Sequence, residues 1–339
     1  MTELLITGNA MLLSIVVICL CTIAIWWCSE QLAHGTCDVG KRFKIAPGVR
    51  GATLDAVASS FPELCAVVFA LLAGHFDAGV GVVAGSALFN ILVIPALVAF
   101  VGGGVVVKSE VVKRDGLLYV FVVLAFVVLF YLSPAGEKEG TRVLSASIGF
   151  GSILLYIAYV VFLFVQSNKA ASLDEVSVSE GEETTAIEPG WKSFARILVG
   201  MAGVGVACHF LVEYGLQLIT DLGFSPAVAG VTVLAAATSL PDTLLSIFAA
   251  KRGDADGAIA NAFASNTFDI LICLGLPILV MGGLAMNWDD GWPILVCLLL
   301  STVTAVFLMI TDWKLTRFEA CFKLLLYVAF CVAIFLGLL

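Results

Sequence analysis

Three carboxylates, Glu63, Asp242 and Asp269, stand inside long apolar stretches. At the centre of a bilayer a charged side chain costs about 2.5 to 3.5 kcal/mol even on insertion scales, so such groups are kept for function rather than for stability. Glu63 closes the run Ser59-Ser60-Phe61-Pro62-Glu63, and Asp242 closes Thr238-Ser239-Leu240-Pro241-Asp242, at a constant offset of 179 positions. Proline lacks an amide donor and clashes with the preceding turn, so Pro62 and Pro241 are each expected to break a membrane helix and free carbonyls near its midpoint. Carbonyls, two carboxylates and the hydroxyls of Ser59, Ser60, Thr238 and Ser239 make an all-oxygen donor set. Such a set suits hard cations such as calcium and sodium better than soft transition metals.

A second group lies on the next apolar stretch of each copy. Ser86 and Asn90 are four apart, as are Ser265 and Asp269, so each pair projects from one helical face. The amide of Asn90 takes the place that Asp269 holds in the other copy. The plainer reading of the hydroxyls is that they bond back to helix carbonyls or pack between helices, as membrane Ser and Thr often do. It is weak for the carboxylates and for Asn90, and it weighs evenly against a ligand role for each Ser and Thr. Gly79, Gly81, Ala84 and Gly85, with Ala258, Ala260 and Ala264, are small enough to let helices approach closely.

The elements that must position these groups follow from the repeat. Pro47 to Leu92 recurs as Pro226 to Leu271 without a gap. With 61% hydrophobic and 13% charged residues and a mean hydropathy of +1.08, the 339 residues hold more apolar surface than one soluble core could bury. Apolar runs of spanning length predict an all-α membrane protein with ten helices near 10–31, 46–74, 77–104, 116–133, 143–166, 192–219, 226–251, 256–284, 292–311 and 319–339. Five helices per copy is an odd number, so residues 1–166 and 192–339 are expected as two inverted repeats, with one cation site at their pseudo-twofold interface. Of the 17 basic residues, 15 fall on one side of the alternation and only Lys138 and Arg142 on the other, which predicts both termini outside. Residues 167–191, rich in Asp and Glu, read as a solvated cytoplasmic linker without EF-hand spacing. The first helix is expected to be retained, because Met1 to Gly8 has Glu3 and no basic residue, unlike a signal peptide.

Other classes are poorly supported. A net charge of -9 and the lack of a basic, aromatic-interleaved patch argue against nucleic acid as partner. Ten scattered cysteines without a CxxC read as small hydrophobes. Neither HExxH nor a GxxxxGK[ST] loop is present, and Ser60 has no base in its motif, so an enzyme is not expected.

The four motifs Ser59-Ser60-Phe61-Pro62-Glu63, Gly85-Ser86-Ala87-Leu88-Phe89-Asn90, Thr238-Ser239-Leu240-Pro241-Asp242 and Ser265-Asn266-Thr267-Phe268-Asp269 resemble the alpha-repeats of the cation/calcium exchanger superfamily. They are most like those of the potassium-dependent sodium/calcium exchangers and their prokaryotic relatives. The resemblance implies a secondary antiporter that exchanges sodium for calcium, with Glu63 and Asp242 as main calcium ligands. Ser, Thr, Asn90 and Asp269 would assist around shared sodium sites. It implies no cofactor beyond the transported ions, and the plasma (inner) membrane as location; protein partners are not indicated. Alternating access would come from the first and sixth helices sliding across the core. Asp269 resembles the residue linked to potassium dependence, yet relatives without that dependence also carry Asp there, so potassium use stays open. Asp55 departs from the pattern, and pairing with Arg50 is favoured over a role in ion access. Ala237 and Ala264 stand where glycine is more usual. A calcium/proton antiporter using the same carboxylates, helped by Asp55 and by His34 or His209, is the alternative.

Overall fold

Without water, every backbone N–H and C=O must be satisfied within the chain, so apolar runs of spanning length become helices. The structure, a computed structural model, describes residues 2–45, 50–173 and 190–338. Among these residues nine helices are long and apolar enough to span a membrane, and a bent pair supplies a tenth. They are α1 (Ala10–Arg42), α2 (Thr53–Leu72), α3 (Phe76–Gly102), α4 (Ser109–Leu132) and α5 (Ala146–Gln166) in the first half. In the second half they are α6 (Gly190–Asp221), α7 (Pro226–Thr238 and Leu240–Lys251), α8 (Ala255–Val280), α9 (Trp288–Thr311) and α10 (Arg317–Phe335). The chain is thus a multi-pass, all-α membrane protein of two inverted five-helix repeats.

The 179-residue offset runs further than the motifs. It relates Phe76 to Ala255 and Ser109 to Trp288, the first residues of α3 and α8 and of α4 and α9. It also relates two π-helical turns, Gly51–Asp55 and Gly230–Leu234, that lead into the two motifs. Some boundaries move. Residues 167–173 continue the helix of α5 and 190–191 begin α6, while the acidic run 174–189 of the expected linker lies outside the described residues. α4 starts at Ser109 rather than 116, because its polar first turns are held as helix: Arg114 Nε donates to buried Asp115 (2.8 Å), which also accepts from Tyr159 of α5 (3.1 Å).

α3 and α8 are mostly buried and form the centre, whereas α1, α5 and α10 turn most of their surface outward. Missing side chains set the spacing between α3 and α7. A Cβ on Gly81 would lie 2.6 Å from the Ala227 carbonyl oxygen, and one on Gly85 would lie 2.7 Å from both Val231 Cα and Ala235 Cβ. α1 and α6 also lie backbone to backbone, since a Cβ on Gly200 would lie 2.8 Å from the Cys28 carbonyl oxygen.

Two short ribbons and two hydrogen bonds stitch the halves together. β1 (Val105–Val106), after α3, pairs antiparallel with β4 (Lys314–Leu315), before α10; β3 (Gly283–Asn287), after α8, pairs with β2 (Thr141–Ser145), before α5. Asp77, in the first turn of α3, accepts the backbone N–H of Asn287, and Asp256, in the first turn of α8, accepts that of Lys108, both at 2.8 Å. These bonds are one motif seen twice, because 77 and 256, like 108 and 287, differ by 179. Each joins segments that the helix alternation puts at the same membrane face.

Candidate cation site

The two motifs differ in their backbone. α7 bends by 42° between Thr238 and Leu240, and Pro241 opens the second piece, where a missing amide donor does no harm. α2 does not break: Pro62 lies inside a helix that is continuous from Ala56 to Leu72, contrary to the expectation of two breaks. One proline removes one intrahelical bond, and neighbouring groups in a membrane bundle re-satisfy what it frees. Two thiols stand beside this stretch, Cys273 facing the Ser60 carbonyl at 3.7 Å and Cys208 that of Pro62 at 3.5 Å.

All ten residues singled out from the sequence meet in the middle of the bundle and are buried there. Within each half the third helix donates to the second: Ser86 Oγ to Glu63 Oε1 (3.2 Å), and Ser265 Oγ to Asp242 Oδ2 (3.0 Å). Between the halves, Ser60 and Ser265 share a 2.8 Å bond, as do Ser86 and Ser239. Thr238 also lies near Glu63, and Ser59 near Asp242, again across the interface. Asn90 Nδ2 reaches Asp242 Oδ2 at 3.3 Å, and Ser60 also lies near Asp269. Ser59 and Thr238 lie within reach of the helix carbonyls of Ala56 (3.4 Å) and Ala235 (3.2 Å) as well. A hydroxyl has one proton, so each of the two can serve its own helix or the carboxylate across the interface, but not both at once.

The decisive feature is what these bonds leave over. Glu63 Oε2, Asp242 Oδ1, Asp269 Oδ2 and Asn90 Oδ1 are all buried without a hydrogen-bond partner. The three carboxylates also sense one another electrostatically. Unpaired buried acceptors, three of them able to carry charge, cost several kcal/mol unless a cation answers them. Among the described residues no three Asp, Glu, His or Cys groups converge tightly enough to hold an ion alone. An ion here therefore needs amide, hydroxyl or main-chain oxygens beside the carboxylates, the mixed shell of a hard cation.

Asp55 pairs with Arg50 at 3.2 Å, as favoured from sequence. His34 lies exposed, 3.9 Å from Glu30, and His209 packs edge-on against Phe69, which accounts for both without the carboxylates. Three neighbours escaped sequence reasoning. Asn266 stands inside a quoted motif but reads there as a spacer; its amide nitrogen donates to the Ala87 carbonyl at 3.1 Å. Tyr119 of α4 lies near Asn266, and its only sequence signal is a phenol within an apolar run. Cys273, read as a small hydrophobe, puts its sulfur 3.6 Å from Asp269 Oδ1.

Comparison with known proteins supports the same picture. The family described as "Sodium/calcium exchanger protein" matches over residues 13–165 and 192–336. The chain is similar to the putative antiporter CaxA of Alkalimonas amylolytica, 26% identical with 91% of this chain and 94% of that one covered. It is also similar to the sodium/calcium exchanger MaX1 of Methanosarcina acetivorans, 25% identical over 91% and 94%. Among solved structures, the sodium-calcium exchanger NCX_Mj superposes with a TM-score of 0.63 at 22% identity, covering 94% of this chain and 97% of that one, a likeness of fold. Since the family's match takes in both repeats and almost the whole chain, the protein belongs to the sodium/calcium exchanger family and is a membrane transporter that exchanges cations.

Proposed function

We propose that the protein is a secondary antiporter that moves calcium against sodium through the central carboxylate cluster. The observation that carries this reading is the set of four buried oxygens without partners, on Glu63, Asp242, Asp269 and Asn90. In the proposal Glu63 and Asp242 hold calcium between them, and Asn90, Asp269 and the hydroxyls of Ser59, Ser60, Ser86, Thr238, Ser239 and Ser265 complete sites that sodium ions share. A similar protein bears the name sodium/calcium exchanger, which agrees with this pair of ions.

Alternating access has a physical basis in the stitching. Both ribbons and both Asp–backbone bonds join segments next to α3, α4, α5, α8, α9 and α10, while α1 and α6 pack along each other outside that core. The α1/α6 pair is therefore the element we propose to slide, opening the cluster to one face at a time. We place both termini outside, the 167–191 linker in the cytoplasm and the protein in the plasma (inner) membrane, on the distribution of basic residues. The organisation proposed is 1–166, a 167–191 connection, and 192–339. Exchange that moves net charge responds to voltage at about 2.3 kcal/mol per elementary charge per 100 mV.

The test is calcium-45 uptake into proteoliposomes loaded with sodium, with potassium and a pH gradient varied separately and Glu63→Gln as the inactive control. Uptake that requires internal sodium supports the proposal, and added dependence on potassium would make potassium a coupled ion. Uptake driven only by a proton gradient would replace it with calcium/proton antiport, and undiminished uptake in Glu63→Gln would remove the site.

A further inference from the structure

A soft donor stands inside a site otherwise built from hard ones. Cys273 lies four residues beyond Asp269 on α8, within the π-helical stretch Asp269–Leu274, and is fully buried. Its sulfur is 3.6 Å from Asp269 Oδ1 and 3.7 Å from the main-chain oxygen of Ser60 on α2. A thiol has one proton, so it can answer only one of these two oxygens at a time. Asp269 Oδ2, the other oxygen of the same carboxylate, is buried without a partner. The thiol therefore faces an unanswered carboxylate and a carbonyl that arrives from the other half of the molecule.

The first half repeats none of this. At the 179-residue offset Cys273 corresponds to Ile94 and Asp269 to Asn90, on a helix without a π-helical stretch. The carbonyl of Ser239, the counterpart of Ser60, accepts a 2.9 Å bond from the hydroxyl of Thr243 on its own helix. At this position the sulfur–carboxylate pair belongs to one repeat alone.

We propose that Cys273, Asp269 and the Ser60 carbonyl form a binding site for a thiophilic divalent cation, zinc or cadmium, and that such an ion blocks exchange by occupying it. The separations fit this ligand. A tetrahedral zinc ion with sulfur at about 2.3 Å and oxygen at about 2.1 Å holds the two donors about 3.6 Å apart. Cys273 Sγ stands at that distance from Asp269 Oδ1 and close to it from the Ser60 oxygen. The ion replaces the thiol proton, which passes to water, and the thiolate and carboxylate together balance its two charges. Sulfur is what distinguishes this ion from calcium, because a hard cation prefers oxygen whereas a thiolate selects zinc and its soft relatives. Two side chains and one main-chain oxygen leave a fourth position for water. With the ion in place Asp269 is withdrawn from sodium and calcium. The blocking effect rests on the reading of the cluster as the ion path, whereas binding does not, and two measurements keep them apart.

Cadmium is the spectroscopic probe, since a cadmium–thiolate bond has an ultraviolet charge-transfer band that cadmium–oxygen bonds lack. Purified full-length protein in detergent is titrated with cadmium chloride as wild type, Cys273→Ser, Asp269→Asn and Cys208→Ser. Wild type is expected to show a saturable band beyond that of Cys273→Ser, in which the exposed thiols Cys19 and Cys321 remain. Cys208→Ser should keep that additional band, and Asp269→Asn should raise its midpoint at least about tenfold. In proteoliposomes, the zinc midpoint for inhibition of sodium-driven calcium-45 uptake should be at least about tenfold higher in Cys273→Ser than in wild type, each referred to its own uptake without zinc. Equal bands in wild type and Cys273→Ser, an equal loss in Cys208→Ser, or an unchanged zinc midpoint would overturn the proposal. Should Cys273→Ser not fold, Cys273→Ala carries the same comparison. The additional band in a protein without sodium-driven calcium uptake would refute the exchange reading and leave the thiophilic site standing.

Discussion

Adding one carbon at Gly85 should separate the two helices that build the site. A Cβ there would meet Val231 Cα and Ala235 Cβ at 2.7 Å, against the roughly 3.5 to 4.0 Å at which carbon atoms pack without strain. Both obstacles belong to the body of α7, so neither can swing aside, and α3 must move off by about 1 Å. Ser86 is the next residue. Its 2.8 Å bond to Ser239 would open to about 3.8 Å, beyond hydrogen-bonding range, and its contact with Glu63 would shift with it. Overpacking of this kind costs typically about 1 to 3 kcal/mol, enough to deform a site without unfolding a bundle. Gly85→Ala should therefore yield folded protein, judged by size-exclusion profile and melting, whose sodium-driven calcium-45 uptake in proteoliposomes falls at least about tenfold. Gly151→Ala on α5 is the control, because a Cβ there meets nothing within 4 Å. Wild-type uptake in Gly85→Ala, or an equal loss in Gly151→Ala, would refute the argument that backbone contact sets the site geometry.

Two other substitutions test the energetics. Asp242→Asn should abolish calcium uptake and yet raise the melting temperature in calcium- and sodium-free buffer, since it removes one of three buried like charges; a lower melting temperature there would mean that the carboxylate is held by partners rather than waiting for an ion. Lys323, on α10, is fully buried and its ammonium has no hydrogen-bond partner. Lys323→Met, similar in volume and uncharged, should stabilise the protein by about 1 to 3 kcal/mol in melting experiments, and destabilisation would show that Nζ is doing necessary work in the fold.

Much of the fold could be read in the sequence because the membrane imposes one solution on an apolar run of spanning length, and because the second copy checks the first. The ten residues that meet at the centre could be singled out for a related reason: Glu63, Asp242 and Asp269 are carboxylates deep inside long apolar stretches, and the repeat marks what accompanies them. What stayed hidden depends on contact between distant segments. The strands β1 and β4 are two residues each, too short to signal themselves, and are strands only because the other half supplies a partner. Pro62 and Pro241 look alike in sequence, yet only the helix at Pro241 breaks, and the thiols that face the carbonyls beside Pro62 come from α6 and α8. Tyr119 comes near Asn266 only when α4 is laid beside α8.

The two ribbons and the two aspartate bonds are exchanged between the halves: what each half lacks, the other provides, at opposite faces of the membrane. A single half would show an unmatched strand edge and an unanswered carboxylate at its ends, whereas two identical halves inserted in opposite senses would satisfy each other completely. The bonds that hold the present chain together are thus those of an antiparallel pair. Two such copies need only a tether to stand in one chain, and each is then free to differ on its own side of the ion path. Asn90 opposite Asp269, and Ala87 opposite Asn266, mark where they have done so.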